Sequence, residues 1–314
     1  MKRLWIPLLG VLTCLAGFSI FVGHKSAIQD KVSKSNPTNI LSKPARIVSL
    51  APNLTEILFA LGLGERIIAV SNNSNYPAAT ANKKKVGPFW QPNTEAIIAC
   101  RPDLVVTLRT RTEQQKAVAD SLKRLGFSVL TLEIEKIEEL FTAIEEIGRA
   151  TGCEERSDEL VKSISNQLNV VQSKVGSANK VRVMWAVQTK PLRVAGRNTF
   201  INELIELAGG ENAVGPTISQ YPQIGSEELL GCGAEIIIQS AMGESNLSKE
   251  QKAAEKFWGR WSNLPAVKNN RIYVIESDTT LRLGPRLPQG AEAIARFLHP
   301  DSFKQRGDSA QQDG

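Results

Sequence analysis

Two stretches of this 314-residue sequence occur twice, in the same order, and that repetition limits the fold more than any other feature. Residues 56–65 match residues 202–211, and residues 94–106 match residues 226–238, the second pair carrying Cys100 and Cys232 at equivalent places. Around each copy, short apolar runs alternate with segments of helical spacing. A chain built this way forms two similar units, each a mostly parallel sheet covered by helices.

In the first unit, residues 46–50, 67–70, 104–108 and 129–132 read as short strands of the kind buried on both faces. Helical spacing covers residues 53–61, 94–100, 113–125 and 137–151. Residues 154–174 differ, forming one long helical pattern through Leu160, Ile164, Leu168 and Val171 with polar residues opposite. The alternation then resumes at 181–186, 199–208, 236–239 and 272–275, and closes on a helix at 289–298. The expected fold is α/β: two Rossmann-like lobes, residues 46–153 and 177–299, joined by a single long rigid α-helix at 154–176, with a ligand cleft between them. Residues 300–314 read as a polar, disordered tail.

The amino-terminal end is a targeting segment. Lys2 and Arg3 precede an apolar stretch from Leu4 to Gly23, which fits a signal peptide or a retained membrane anchor over residues 1–27. A length of about 20 apolar residues suffices to span a bilayer. Residues 28–45 read as a linker, so the chain is expected to be exported, either periplasmic or tethered to the outer face of the inner membrane. Three cysteines follow the leader (Cys100, Cys153 and Cys232), an odd number best read as small buried hydrophobes.

The two histidines, His24 and His299, lie at the edges of the sequence, which removes the usual general base and the commonest zinc ligand. The sequence has no phosphate-binding glycine loop, nucleophile elbow or zinc-protease helix. The net charge of +6 comes with no aromatic-basic repeat, which argues against nucleic acid. Binding rather than turnover is expected, with no cofactor and no structural metal.

Ligands of open parallel sheets sit beyond the carboxyl ends of the strands. That places Asn53, Asn73 and Tyr76 of the first lobe among the candidates, with Phe89, Trp90 and Arg109. From the second lobe come Arg197, Tyr221, Asp278 and Arg282. Trp90 follows Gly87-Pro88-Phe89 in a loop without period and reads as a surface-lining aromatic. Tyr76 and Tyr221 each precede proline and either face the cleft or brace a turn. Asp278 and Arg282 either bind a polar ligand or form an exposed local ion pair. Glu95 and Glu227 each follow Thr or Ser at a helix start, where the helix dipole alone favours them by about 0.3–1 kcal/mol. Their recurrence also fits two matched acidic points docking on a two-fold partner.

Four segments carry a family likeness: Arg46-Ile47-Val48-Ser49-Leu50-Ala51-Pro52-Asn53-Leu54-Thr55-Glu56, residues 86–95, Arg101-Pro102-Asp103-Leu104-Val105 and Ala208-Gly209-Gly210-Glu211-Asn212. With them the chain resembles the periplasmic substrate-binding proteins of ABC importers for cobalamin, ferric siderophores and haem. The likeness is greatest to the branch that binds cobalamin. It implies a corrin held among aromatics near Asp278 and Arg282, and an ABC permease dimer engaged through Glu95 and Glu227, with the binding protein a monomer. The sequence departs from that branch at Asn73, Tyr221 and Leu108-Arg109, where aromatic stacking is lost or altered. Haem-binding relatives use tyrosine as iron ligand, which keeps Tyr76 or Tyr221 open for haem, and Arg109, Arg193 and Arg197 would suit an anionic ferric chelate. A membrane-anchored sensor or scaffold of the same fold is the further alternative.

Overall fold

The computed structural model of the protein describes residues 43–109, 113–176, 178–241 and 246–304. The expected leader, most of the linker and the tail from residue 305 fall outside the described residues. The first sheet is entirely parallel. Its strands are β1 (Ile47–Ser49), β2 (Ile67–Val70), β3 (Lys84–Lys85), β4 (Leu104–Leu108) and β5 (Val129–Leu132), in the order β3-β2-β1-β4-β5. Helices α1 (Pro52–Ala60), α2 (Thr94–Ala99), α3 (Glu113–Arg124) and α4 (Ile137–Thr151) connect and flank them. Because strand side chains alternate between faces, Ile47 and Val106 join one apolar cluster while Val48 and Val105 join another. Both faces of the sheet are therefore covered.

The second sheet follows the 22-residue helix α5 (Glu154–Val175). Its long strand β6 (Val181–Thr189) pairs with three shorter partners. The carboxyl end of β6 meets β7 (Leu192–Val194) antiparallel. After α6 (Phe200–Leu207) comes β8 (Gly210–Asn212), parallel to the start of β6. Helix α7 (Ser226–Gly231) leads to β9 (Ile236–Ser240), which also pairs with β6. Then follow α8 (Leu247–Trp258), α9 (Pro265–Lys268) and β10 (Ile272–Ile275), with β10 at the sheet edge beside β9. The chain closes with α10 (Ser277–Thr280) and α11 (Leu287–Leu298). The structure adds the strands β3, β7 and β8 and the helices α8, α9 and α10 to the elements expected from sequence.

One apolar cluster unites the lobes. It runs from Ile47 and Leu54, through Ile164, Leu168, Val171 and Val175 of α5, to Trp185 and Leu204, and ends at Ala291 and Ile294 of α11. Three of the four apolar positions marking α5 in the sequence are buried there, and Leu160 packs at its edge. Residues 300–303, read from sequence as part of a disordered tail, instead form a 3-10 turn that packs against α11 and α5. The ring of Phe303 lies under Lys174 and Arg296, with centroid distances of 5.1 and 4.8 Å. Among the described residues, no helix is long and apolar enough to cross a membrane.

The repeat is physical as well as textual. Helix α2 and helix α7 both end at a cysteine, Cys100 or Cys232, and the next residue takes the left-handed backbone conformation: Arg101 (φ 47°) and Gly233 (φ 59°). An arginine at the entry of each lobe's first strand closes the same helix. Arg46 Nη2 donates to Cys100 O at 2.6 Å, and Arg182 Nη2 donates to Cys232 O at 2.7 Å. The backbone N–H of each arginine in turn donates to an acid before the neighbouring strand, Asp103 (2.9 Å) or Glu235 (2.8 Å). In the other repeat, the left-handed glycines Gly62 and Gly209 coincide, which shifts the sequence match between α1 and α6 by one residue.

Candidate functional site

The site is assembled from loops at the carboxyl ends of strands. Beneath it, four hydroxyls tie the loop after β2 to α1. Thr55 Oγ1 lies 2.8 Å from Ser49 Oγ and 2.9 Å from Ser74 Oγ, which is 2.9 Å from Ser71 Oγ. This buried chain fixes the backbone that carries Asn73, Asn75 and Tyr76. The neighbouring turn needs Gly87 at φ 96°, since an added Cβ would sit 2.9 Å from Asn93 N and 3.0 Å from Gln91 O. Asn72 N donates to Gly87 O (2.8 Å) and Phe89 N donates to Asn73 Oδ1 (3.2 Å), so the Asn73 and Phe89 loops are held together.

A cleft of about 340 Å³ lies between the lobes. The first lobe lines it with Ala51, Pro52, Asn53, Asn73, Phe89, Leu108 and Ile134. The second lobe contributes Phe200, Ser277, Asp278, Leu281, Arg282 and Leu283. The walls are mainly apolar, with two amides, one hydroxyl and one ion pair, a composition usual for small-molecule sites. Ser277 Oγ donates to Ala241 O, and Asn53 Nδ2 donates across the lobes to Leu283 O at 3.1 Å.

The charged floor of the cleft joins the two lobes. Arg282 Nη2 lies 2.6 Å from Asp278 Oδ1, and Asn75 bridges the pair by donating to Asp278 Oδ2 and accepting from Arg282 Nη1, both at 2.7 Å. Behind them Glu56 of α1, almost fully buried, takes both arms of Arg286 (Nε to Oε2 2.8 Å, Nη2 to Oε1 2.7 Å) and stands 3.5 Å from Arg282 Nη1. The hydrogen bonds from Glu56 raise the Arg286 pKa above its ordinary value, outweighing the opposing effect of burial. The Arg286 guanidinium also stacks over the Tyr76 ring at 4.2 Å.

Of the residues expected at the site, Asn53, Asn73, Phe89, Asp278 and Arg282 come together in the cleft wall. Asp278 and Arg282 are not the exposed local pair that sequence allowed; their side chains are 33% and 17% exposed and linked to the other lobe. Trp90 is half exposed, its ring edge-on to Phe89 with centroids 5.2 Å apart, and Tyr76 is comparably exposed above Arg286. Neither lines the cleft itself. Arg109 is exposed next to the wall residue Leu108 and pairs with Glu133 at 3.6 Å. Arg197 does not line the cleft: its Nε donates to Val214 O (3.1 Å) and its Nη2 lies 3.7 Å from Glu211, so the guanidinium braces the segment after β8. Tyr221 packs half-buried against the shared core, and burial first, then the nearby Glu135 charge, pushes its phenol pKa up. Glu95 and Glu227 are exposed in the first turns of α2 and α7. Sequence reasoning included Leu281 in the candidate segment 278–282 but missed Glu56, Arg286 and the apolar wall of Ile134, Phe200 and Leu283. The i,i+4 spacing of Arg282 and Arg286 was visible, but their counter-charge lies 226 and 230 positions away.

The family described as Periplasmic binding protein matches residues 47–279. The uncharacterised ABC transporter substrate-binding lipoprotein YvrC of Bacillus subtilis is 34% identical over 284 residues, covering 88% of this chain and 86% of its own. The vitamin B12-binding protein of Vibrio parahaemolyticus is 30% identical over 243 residues, covering 77% of this chain and 84% of its own. Among solved structures, a possible iron-binding (periplasmic solute-binding) protein from Staphylococcus epidermidis superposes with a TM-score of 0.73 at 28% identity, covering 82% of this chain and 100% of that one.

Proposed function

This chain belongs to the periplasmic binding protein family, and we propose that it captures cobalamin, or a related corrinoid, in its interlobe cleft for delivery to an ABC permease. It is the substrate-binding component of an importer of the class that serves cobalamin, haem and siderophores, and not an enzyme. It works outside the cytoplasm, free or membrane-tethered, as a monomer.

The observation that carries the corrinoid reading is the charge and chemistry of the cleft wall. Among the described residues that line it, the one cation, Arg282, is already paired with the one anion, Asp278, and the remaining polar groups are Asn53, Asn73 and Ser277. A neutral ligand rich in amides suits such a wall, because each polar contact is a hydrogen bond and no buried charge is left unpaired. The relative from Vibrio parahaemolyticus, a vitamin B12-binding protein, supports the same reading. A corrin is larger than the cleft volume, so its rim would extend towards Trp90 and Tyr76, whose exposed rings offer stacking area. One long helix, α5, and a core that continues through it favour small movements of the lobes on capture. Glu95 and Glu227, exposed on helices held alike in the two lobes, would meet basic groups of the permease.

A ferric siderophore or haem is the second reading, favoured by the similarity to the protein of Staphylococcus epidermidis described as a possible iron-binding protein. Two observations weigh against it. Arg109 and Arg197 each have an acidic partner and Arg193 donates to Tyr221 O, so none of the three lines the cleft, and Tyr221 packs against the shared core instead of lining it. The reading is tested by uptake: deleting the gene in a cell dependent on external corrinoid should abolish growth at limiting corrinoid while leaving iron supply unchanged. Unaltered corrinoid uptake would overturn it.

A further inference from the structure

Among the described residues, the floor of the cleft brings two cations and two anions into a closed arrangement. Asp278 reaches the cleft surface, is bound by Arg282 at 2.6 Å, and receives Asn75 on its other oxygen at 2.7 Å. Arg282 faces Glu56 from 3.5 Å, and Arg286 occupies both Glu56 oxygens at 2.7 and 2.8 Å. Glu56 lies behind the cleft wall and is only 3% exposed, yet it supplies the charge that balances the second arginine. A buried carboxylate in that place is costly, and hydrophobic residues of similar size would often serve stability as well. Stability alone therefore does not account for it.

Resting on the corrinoid reading above, we propose that Glu56 and Asp278 set the charge selectivity of the cleft: by cancelling Arg282 and Arg286 they admit a neutral chelate and refuse an anionic one. An anionic ligand at this wall meets the Asp278 carboxylate at close range. To reach Arg282 it must displace Asp278, leaving that carboxylate part-buried without its counter-charge. Selectivity of this kind works by penalising the wrong ligand rather than by adding contacts to the right one. Removing either acid leaves a guanidinium in excess and shifts the preference towards anionic ligands.

The test uses the full chain and three probes: cyanocobalamin, the same corrin with one or more side-chain amides hydrolysed to carboxylates, and haem with its two propionates. Asp278→Asn, close to isosteric and in a partly exposed position, should improve the affinity for an anionic probe relative to cyanocobalamin by about tenfold or more. The gain should shrink as salt is added. Glu56→Gln should act in the same direction; if it fails to fold, Asp278→Asn decides alone. An unchanged ratio for both anionic probes between wild type and Asp278→Asn would overturn the inference. Failure of wild type to bind cyanocobalamin would sink the corrinoid reading only, because the gain for haem still decides the charge claim.

Discussion

Glu56 shows what can and cannot be read at the scale of a residue. In sequence it is one acid inside an apolar helix; in the fold it is buried and bidentate to an arginine of the other lobe. Truncating it strands Arg286, so Glu56→Ala should cost about 3–5 kcal/mol in urea unfolding; a loss under about 1 kcal/mol would mean that water already screens the pair. Trp90 was legible, because a large aromatic in a loop without period has no core to fill, and the structure leaves half of it exposed. Trp90→Ala should weaken corrinoid binding by about tenfold or more, read by calorimetry, while unchanged affinity would remove it from the site. The cysteines are free thiols, and the expected burial holds for Cys100 and Cys153, whereas Cys232 is only half-buried. Burial, outweighing nearby hydrogen bonds and the Arg182 charge, raises the Cys232 thiol pKa. Its alkylation should therefore stay slow at about pH 8 and accelerate only above the ordinary thiol range, and fast labelling at that lower pH would contradict the burial.

At the scale of elements, the regular alternation of apolar runs and helical spacing was enough to find both sheets. Besides the two-residue β3 and the helices α8, α9 and α10, what escaped were β7 and β8, three residues each, too short to show a period. Their strand character comes from pairing with β6, a tertiary effect with no local signal. The arginine clamps on α2 and α7 were equally invisible, since Arg46 and Arg182 find carbonyls 54 and 50 residues further on. The left-handed residue after each clamped helix gives a direct test. An added Cβ at Gly233 meets nothing closer than 3.9 Å, so Gly233→Ala carries only the backbone cost of about 1–2 kcal/mol. Thermal unfolding of the variant measures it, and no loss would show that α7 ends differently.

At the scale of the whole molecule, the repeat predicted two lobes and the structure adds how they are joined, through a common core along α5 and through the charged floor of the cleft. The position of the cleft followed from strand direction together with the two-lobe repeat, but its neutrality depends on partners from both lobes. The matched helices α2 and α7 present Glu95 and Glu227 outward. Replacing both with alanine should leave ligand affinity intact and abolish uptake; normal uptake would reduce them to residues that suit a helix start. The central claim is the cargo, and one calorimetric titration of the purified chain tests it most directly, with cyanocobalamin, haem and a ferric siderophore run in parallel. The account predicts saturable one-to-one binding of cyanocobalamin at micromolar concentration or below, tighter than either iron chelate. Saturation by haem or the siderophore with none by cyanocobalamin would contradict it.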